Sequence, residues 1–433
     1  MRNRLSLRCV CILICLLCVT GCERRDAVFT NTVETAVLWT DSVEFVSYAE
    51  LFNAQQEDFR IIVQYRENPA EAVSSAGDKT PDLVIGPWLK NERIRANFRS
   101  LDTLFSGIGL GERSFYEVLL EPGKIQGEQY LIPVSFNLPA VIFSTENQGL
   151  IADDFMLTLD QIRAAGAAFN KKNSRGLFTA MGFAPGWDPT FLYAAASLRK
   201  VNFREGEPAF FWNNEVLEDT ILWLRDWTAS VNDSVTAEDD FQFKYLYSPE
   251  VKLVTSGRCL FAYTTSHELF GLNPDNSQNI EFRWLRGDEG AGEGEGGSAG
   301  KIPLIDEVSY LGMHRKAKNR NAARAFILWF FDEDVQKSLL ERAREMDVRN
   351  VRFGISGGFS SLRSVNERVF QQMYPLLLGH LPPASAFRSP SILPLRWKDM
   401  KEEIVIPYLA DAVSSEEPIA DLGFRINEWL KQN

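Results

Sequence analysis

The sequence predicts an α/β chain made of two units, each a β-sheet flanked by helices, joined by a hinge. Three observations predict it. Short β-branched runs alternate with helical patterns before Tyr130, and the alternation resumes after Leu150. Between them runs "IPVSFNLPAVIFSTEN", Ile132 to Asn147, extended in composition yet broken by Pro133 and Pro139. At 433 residues the chain is long enough for two or three domains.

The elements follow in order. "MRNRLSLR" is a basic start and "CVCILICLLCVT" an apolar core of twelve residues. As a helix this core covers about 18 Å, short of a ~30 Å hydrocarbon layer, so residues 1–21 read as a secretory signal peptide. Residues 22–35 read as a polar tether. "TAVLWT", "RIIVQY" and "DLVIGP" are strands. "DSVEFVSYAELFNAQ" is a helix, capped by Asp41 or Ser42, with Val43, Val46, Tyr48, Leu51 and Phe52 on its buried face. Strands alternating with helices imply a parallel sheet.

Beyond the ribbon, "LTLDQIRAAGAAFNKK" and "DPTFLYAAASLRK" are helices, the second with Pro189 in its first turn. "GLFTAMGF" and "GRCLFAYT" are strands. "EVLEDTILWLRDWTASVN" is an amphipathic helix burying Val216, Ile221, Leu222, Leu224 and Trp227. "GDEGAGEGEGGSAGK", residues 287–301, is an acidic flexible loop. "AKNRNAARAFILWFFDEDVQKSLLERARE" is helical with a break near Asp332, and two more helices end the chain. The expected units are residues 36–135 with about 303–345, and residues 136–302 with about 346–433. The ribbon would cross from one to the other at Asn137, beside a cleft of the kind that holds small ligands.

The charge excludes some functions. A net charge of −12 argues against nucleic acid as a partner. His267, His314 and His380 stand in unrelated contexts and suggest no metal site, and no cofactor is expected. "GEGEGG", Gly292 to Gly297, matches a dinucleotide-loop spacing, but it follows no strand and its glutamates would repel phosphate. Four of six cysteines lie in the signal segment, and Cys259 in "RCLFAY" reads as a small core residue.

"VTGC", Val19 to Cys22, resembles a bacterial lipobox, which implies acylation (palmitate) of Cys22 and a membrane anchor through lipid. The ordered set "AVLWT", "TPDLVIGPW", "YLIPVSFNLPAVIFSTEN", "SGRCLFAYT" and "AKNRNAARAFILWFF" resembles the extracellular solute-binding proteins of bacterial ABC importers, maltodextrin-type. That resemblance implies a two-lobed periplasmic-binding-protein fold, type II-like. It implies a lipoprotein in the cell envelope that captures a sugar or other small solute and hands it to ABC permease subunits, without catalysis. By position it implies ligand contacts from Trp39 and Asp41 after the first strand, from Trp88, from Asn137 in the crossing, from Tyr263, Thr264 and His267, and from Trp397, with Trp187 in "GWDP" a further candidate. Aromatic rings suit the C–H faces of a pyranose, and carboxylates and amides suit its hydroxyls.

Each candidate has a plainer reading. A tryptophan after a strand is as often core as cleft, and a buried amide usually bonds its own chain. Many cleft carboxylates without free amides would favour a cation, such as a polyamine, over a neutral sugar. Two other functions compete: a secreted glycosidase, which needs two carboxylates about 5–10 Å apart across a cleft, Asp41 and Asp188 being one imaginable pair, and a surface adhesin.

Overall fold

In a computed structural model, which describes residues 33–77, 79–106, 109–206, 210–272, 279–288, 300–346, 352–415 and 417–432, two sheets carry the fold. Cys22, the signal segment and most of the acidic glycine loop lie outside the described residues. The first strand, β1 (Glu34–Thr40), begins inside the expected tether. It pairs in parallel with β2 (Phe59–Tyr65) across helix α1 (Glu44–Gln55). Helix α2 (Pro69–Ser74) leads to β3 (Leu83–Gly86), which pairs with β1 in parallel. All four β3 residues are buried, as a strand covered on both faces requires.

The ribbon is two strands, β4 (Leu131–Phe136) and β5 (Pro139–Ser144), with Asn137 and Leu138 between them. Its prolines sit where a missing N–H does least harm. Pro133 lies at an irregularity in the β4 ladder, and Pro139 is the first residue of β5. The second sheet continues with β6 (Met156–Leu157), followed by helix α3 (Leu159–Phe169). A reciprocal capping box of Thr158 and Gln161 starts α3. Helices α4 (Pro189–Leu198) and α5 (Asn214–Val231) follow, then strands β7 (Ala262–Thr265) and β8 (Ile280–Leu285). The strand order of this sheet is β7-β5-β8-β6.

The chain then returns to the first sheet. Strand β9 (Ser309–Met313) inserts antiparallel between β3 and β4. After helices α6 (Arg320–Phe330) and α7 (Glu333–Met346), strand β10 (Phe359–Ser360) pairs antiparallel with β4. The order is therefore β10-β4-β9-β3-β1-β2. The fully parallel sheet expected from the alternating pattern is corrected to a mixed one, because three of its strands come from the ribbon and from distant chain. The first sheet also draws on chain beyond residue 345. Helices α8 (Ile406–Ser414) and α9 (Leu422–Gln432) close the chain, α8 packing on α4 and α5.

Some side chains differ from expectation. Val43 and Val46 are about half exposed, and the inner face of α1 is Phe45, Tyr48, Ala49 and Phe52. Val43 occupies the N-cap position without a side-chain bond, so neither Asp41 nor Ser42 caps the helix; Ser42 Oγ donates to Glu44 instead. Leu222 is 61% exposed, while Leu217, Thr220 and Thr228 join Ile221, Leu224 and Trp227 on the buried face of α5. Cys259 is buried and free. Among the described residues no helix is long and apolar enough to cross a membrane.

Candidate functional site

A cleft of about 710 Å³ lies where strands of the first sheet end. Loops after parallel strands gather at that edge, where α/β folds build their sites. Asp41 and Ser42 follow β1, and the Ser42 N–H donates to Thr40 Oγ1 at 3.1 Å to tighten the turn. Arg66, Glu67 and Asn68 follow β2; Asn68 caps α2 by accepting the Glu71 N–H at 3.1 Å, with Pro69 in the first helical position. Pro87 and Trp88 follow β3, and Trp88 has a left-handed backbone, φ 64°. For a residue with a Cβ that conformation costs about 1–2 kcal/mol. Trp88 lines the cleft with only 7% of the residue exposed. The lining also takes in Glu307 and Ser309, before and within β9, Arg352 and Ser356, and Leu395, Arg396, Lys398 and Asp399.

Asn137 is also part of the lining, and each end of its amide makes one bond within the chain. Its Nδ2 donates to the Gly357 carbonyl at 3.0 Å, and its Oδ1 accepts from Ser266 Oγ at 2.6 Å. Its backbone carbonyl accepts the Ile305 N–H at 2.9 Å. One residue thus ties the first crossing to the second, residues 300–308, and to the loop before β10. His267 Nδ1 lies 2.8 Å from the same Gly357 carbonyl.

The Asp41 carboxyl has its pKa raised to about 6. Burial is the main cause, partly offset by its own backbone N–H and by Lys398, with Glu44 pushing up and Arg352 pulling down.

The other expected aromatics are not in the lining. Trp39 is buried, donates its Nε1–H to Gln64 Oε1 at 3.0 Å and lies under the Arg66 guanidinium, 4.7 Å from its ring centre. It extends from a strand residue, one position short of the turn. Trp187 stacks on Phe241, 5.4 Å between centres, and donates to the Glu238 carbonyl. Tyr263 is buried edge-on against Phe191, with its hydroxyl pKa pushed far up by burial and by the carboxylates Asp188, Glu268, Glu307 and Asp306. Trp397 is wholly buried among Tyr193, Phe203 and Phe210. Its helix was expected to present the ring to ligand; it presents Lys398 and Asp399 instead. Asp188 caps α4 and is not in the cleft lining, so the imagined glycosidase pair with Asp41 does not form there.

Behind the cleft the carboxylate of Asp306 gathers donors. Tyr193 Oη donates to it at 2.6 Å and Trp397 Nε1 at 2.8 Å, while Lys401 Nζ lies 3.5 Å away and 2.6 Å from Glu307. Burial alone would lower the pKa of Lys401, but attraction to Glu307 and Asp306 outweighs it and holds the ammonium above its ordinary range. Lys90 has weaker support: its Nζ donates to the Ser391 carbonyl at 3.2 Å, and burial lowers its pKa to about 7 against the pull of Asp306. Beside it Asn91 Nδ2 donates to Glu205 Oε1 at 2.8 Å.

Arg66, Glu67, Glu71, Glu307, Arg352, Lys398 and Asp399 escaped the sequence reading. "REN", directly after β2, held the available signal, since a loop following a parallel strand faces the site edge. Arg352 and Glu307 come from segments whose place depends on the inserted strand. Among the described residues no group of three His, Cys, Asp or Glu side chains is arranged to hold a metal ion.

No protein-family model matches the chain, and no curated protein matches it in sequence. Solved structures do. The chain is similar to a sugar transporter protein from Rhizobium etli in an open conformation, at 13% identity over 92% of this chain and 99% of that one, TM-score 0.62. It is similar to the sugar-binding protein MalE from Xanthomonas citri, at 12% identity over 92% and 96%, TM-score 0.61. A cyclo/maltodextrin-binding protein complexed with maltotetraose gives 13% identity over 92% and 96%, TM-score 0.59. The likeness establishes the fold as the two-lobed α/β architecture of periplasmic sugar-binding proteins.

Proposed function

We propose that this chain is the solute receptor of an ABC import system. It captures a small, sugar-sized solute in the cleft and delivers it to permease subunits, held at the membrane by lipid on Cys22 and working in the periplasm or on the outer face of the cytoplasmic membrane. Its lobes would be residues 36–135 with about 303–345, and 136–302 with about 346–433, with Phe359–Ser360 lent to the first sheet. The observation that carries the reading is the cleft beside Asn137, where the crossing segments meet. Contacts from both walls are completed only when the walls approach, so binding draws the molecule toward a closed form. No bond of the solute is broken.

Asp41, Trp88 and Asn137 are the expected residues that support this reading from the lining itself. A thermal-shift screen across sugars, polyamines, amino acids and peptides tests it. A true solute at one hundred times its Kd adds about 2.7 kcal/mol of stability. Glycoside turnover, or silence across the whole screen, would overturn the receptor reading.

A further inference from the structure

We infer that the turn ending the helix Val235–Lys244 seats on the surface of an anionic lipid bilayer and inserts Phe243, Leu246 and Tyr247 into it. The contact is additional to any lipid on Cys22, and it does not depend on which solute the cleft takes.

The helix closes in a Schellman arrangement. The Tyr247 N–H donates to the Gln242 carbonyl at 2.9 Å, and the Leu246 N–H to the Phe243 carbonyl at 3.0 Å. Leu246 thereby holds the left-handed position, φ 54°, that glycine usually takes, and Tyr247 follows at φ 49°. A Cβ is disfavoured in that backbone, and burial of the side chain would ordinarily offset the strain. Here it does not. Leu246 is 83% exposed, the most of any large apolar side chain among the described residues, and Phe243 and Tyr247 are 67% and 66% exposed. The tip stands on a fixed base. Tyr245 Oη donates to the Thr179 carbonyl at 3.1 Å, Lys244 Nζ donates to the Phe178 carbonyl at 3.0 Å, and the Arg258 guanidinium lies 5.2 Å from the Tyr245 ring centre. An apolar cluster held out rigidly in water marks a contact surface.

Charge and size choose the occupant. The whole chain carries −12. Beside the tip, the exposed cations are Lys171, Lys172 and Arg175 on the hairpin under it, with Lys244, Lys252 and Arg258. The exposed acids of the same segments, residues 171–180 and 233–258, are Asp233, Asp239 and Asp240; Glu238 is buried and Glu250 partly so. Asp233 and Lys172 pair with each other. The surroundings are thus basic on an acidic molecule, as attraction to anionic lipid requires. Three side chains offer roughly a few hundred Å² of contact, short of the ~800 Å² per partner of a stable protein interface. A bilayer surface asks for no such area. It takes a shallow apolar insertion and meets the flanking cations with its headgroups.

Hydrogen exchange on the full chain tests this, with vesicles of phosphatidylglycerol and phosphatidylcholine, with phosphatidylcholine alone, and without lipid. The anionic vesicles are expected to slow exchange at residues 243–248 by at least about threefold, and by more than phosphatidylcholine alone, while α5 is unchanged. Leu246→Asn should abolish the slowing and leave the thermal midpoint equal or higher, because Asn accepts the left-handed backbone more readily. Phe243→Ser, on the helix before the turn, should abolish it as well. Unslowed exchange overturns the inference, and so does slowing that survives both variants. A midpoint lowered by Leu246→Asn returns that side chain to a packing role and overturns it too. Slowing by native membranes but not by lipid vesicles replaces the bilayer with a protein partner.

Discussion

The cleft wall and the block of rings behind it are neighbours with opposite chemistry. The wall presents Asp41, Glu67, Glu71, Lys398 and one ring, Trp88. The block stacks Tyr193, Phe203, Phe210 and Trp397 with centres 4.9–6.1 Å apart, and takes up charge where Asp306 collects three donors. The two share the short helix at Trp397–Met400: Trp397 belongs to the block and Lys398 to the wall. Adjacent residues on a helix point about 100° apart, so one turn serves both. The difference teaches that aromatic content does not mark the cleft lining here. The rings pack behind the wall, and charged side chains line the cleft.

Substitutions can break that division or sharpen it. The largest effect belongs to the block. Trp397→Ala should cost about 3–5 kcal/mol by leaving a cavity and removing one of the three donors to Asp306, read as a lowered denaturant midpoint. The affinity of the molecules that remain folded should be unchanged; a selective loss of affinity would move Trp397 to the wall.

Asp41 should come next, through pH. Its folded pKa of about 6 lies above the ordinary 3.8, so the folded protein holds the extra proton. Its contribution is fully present below pH ~4 and is lost as pH rises through about 6, on the order of 2 kcal/mol in all. Asp41→Asn should flatten that part of the stability–pH curve, and an unaltered slope would place the titration elsewhere.

Trp88→Ala should weaken solute binding about tenfold, or ~1.4 kcal/mol, by removing the ring. Calorimetry against wild type reads the ratio, and an unchanged Kd would leave Trp88 without a role in recognition. The smallest effect should be Leu222→Ser, within about 0.5 kcal/mol, against a loss of about 3 kcal/mol for Leu224→Ala two residues on. Thermal melts of the pair test which face of α5 is buried.

Much of the fold was legible in the sequence because it is local. The strands at residues 35–40, 60–65 and 83–86 carry their own β-branched signal, and Thr158 and Asp188 each announce a helix start. The break at Asn137 was legible from two prolines. What the sequence hid is set by partners far along the chain. Nothing in "SYLGM" says that it enters antiparallel between β3 and β4. The same limit governs the site. Asp41 and Trp88 follow visible strands and do reach the cleft, whereas Trp39 and Trp397 were placed by likeness of position and are claimed by packing. Leu222 shows the complementary error, an apolar residue that fits a helical face on paper and points to water.

The late insertion of β9 bears on how the chain is assembled. Its neighbours β3 and β4 are synthesised long before it, and until Ser309–Met313 emerge those two strands have a gap where their shared partner belongs. The first sheet is therefore complete only when chain from both ends of the sequence has been made.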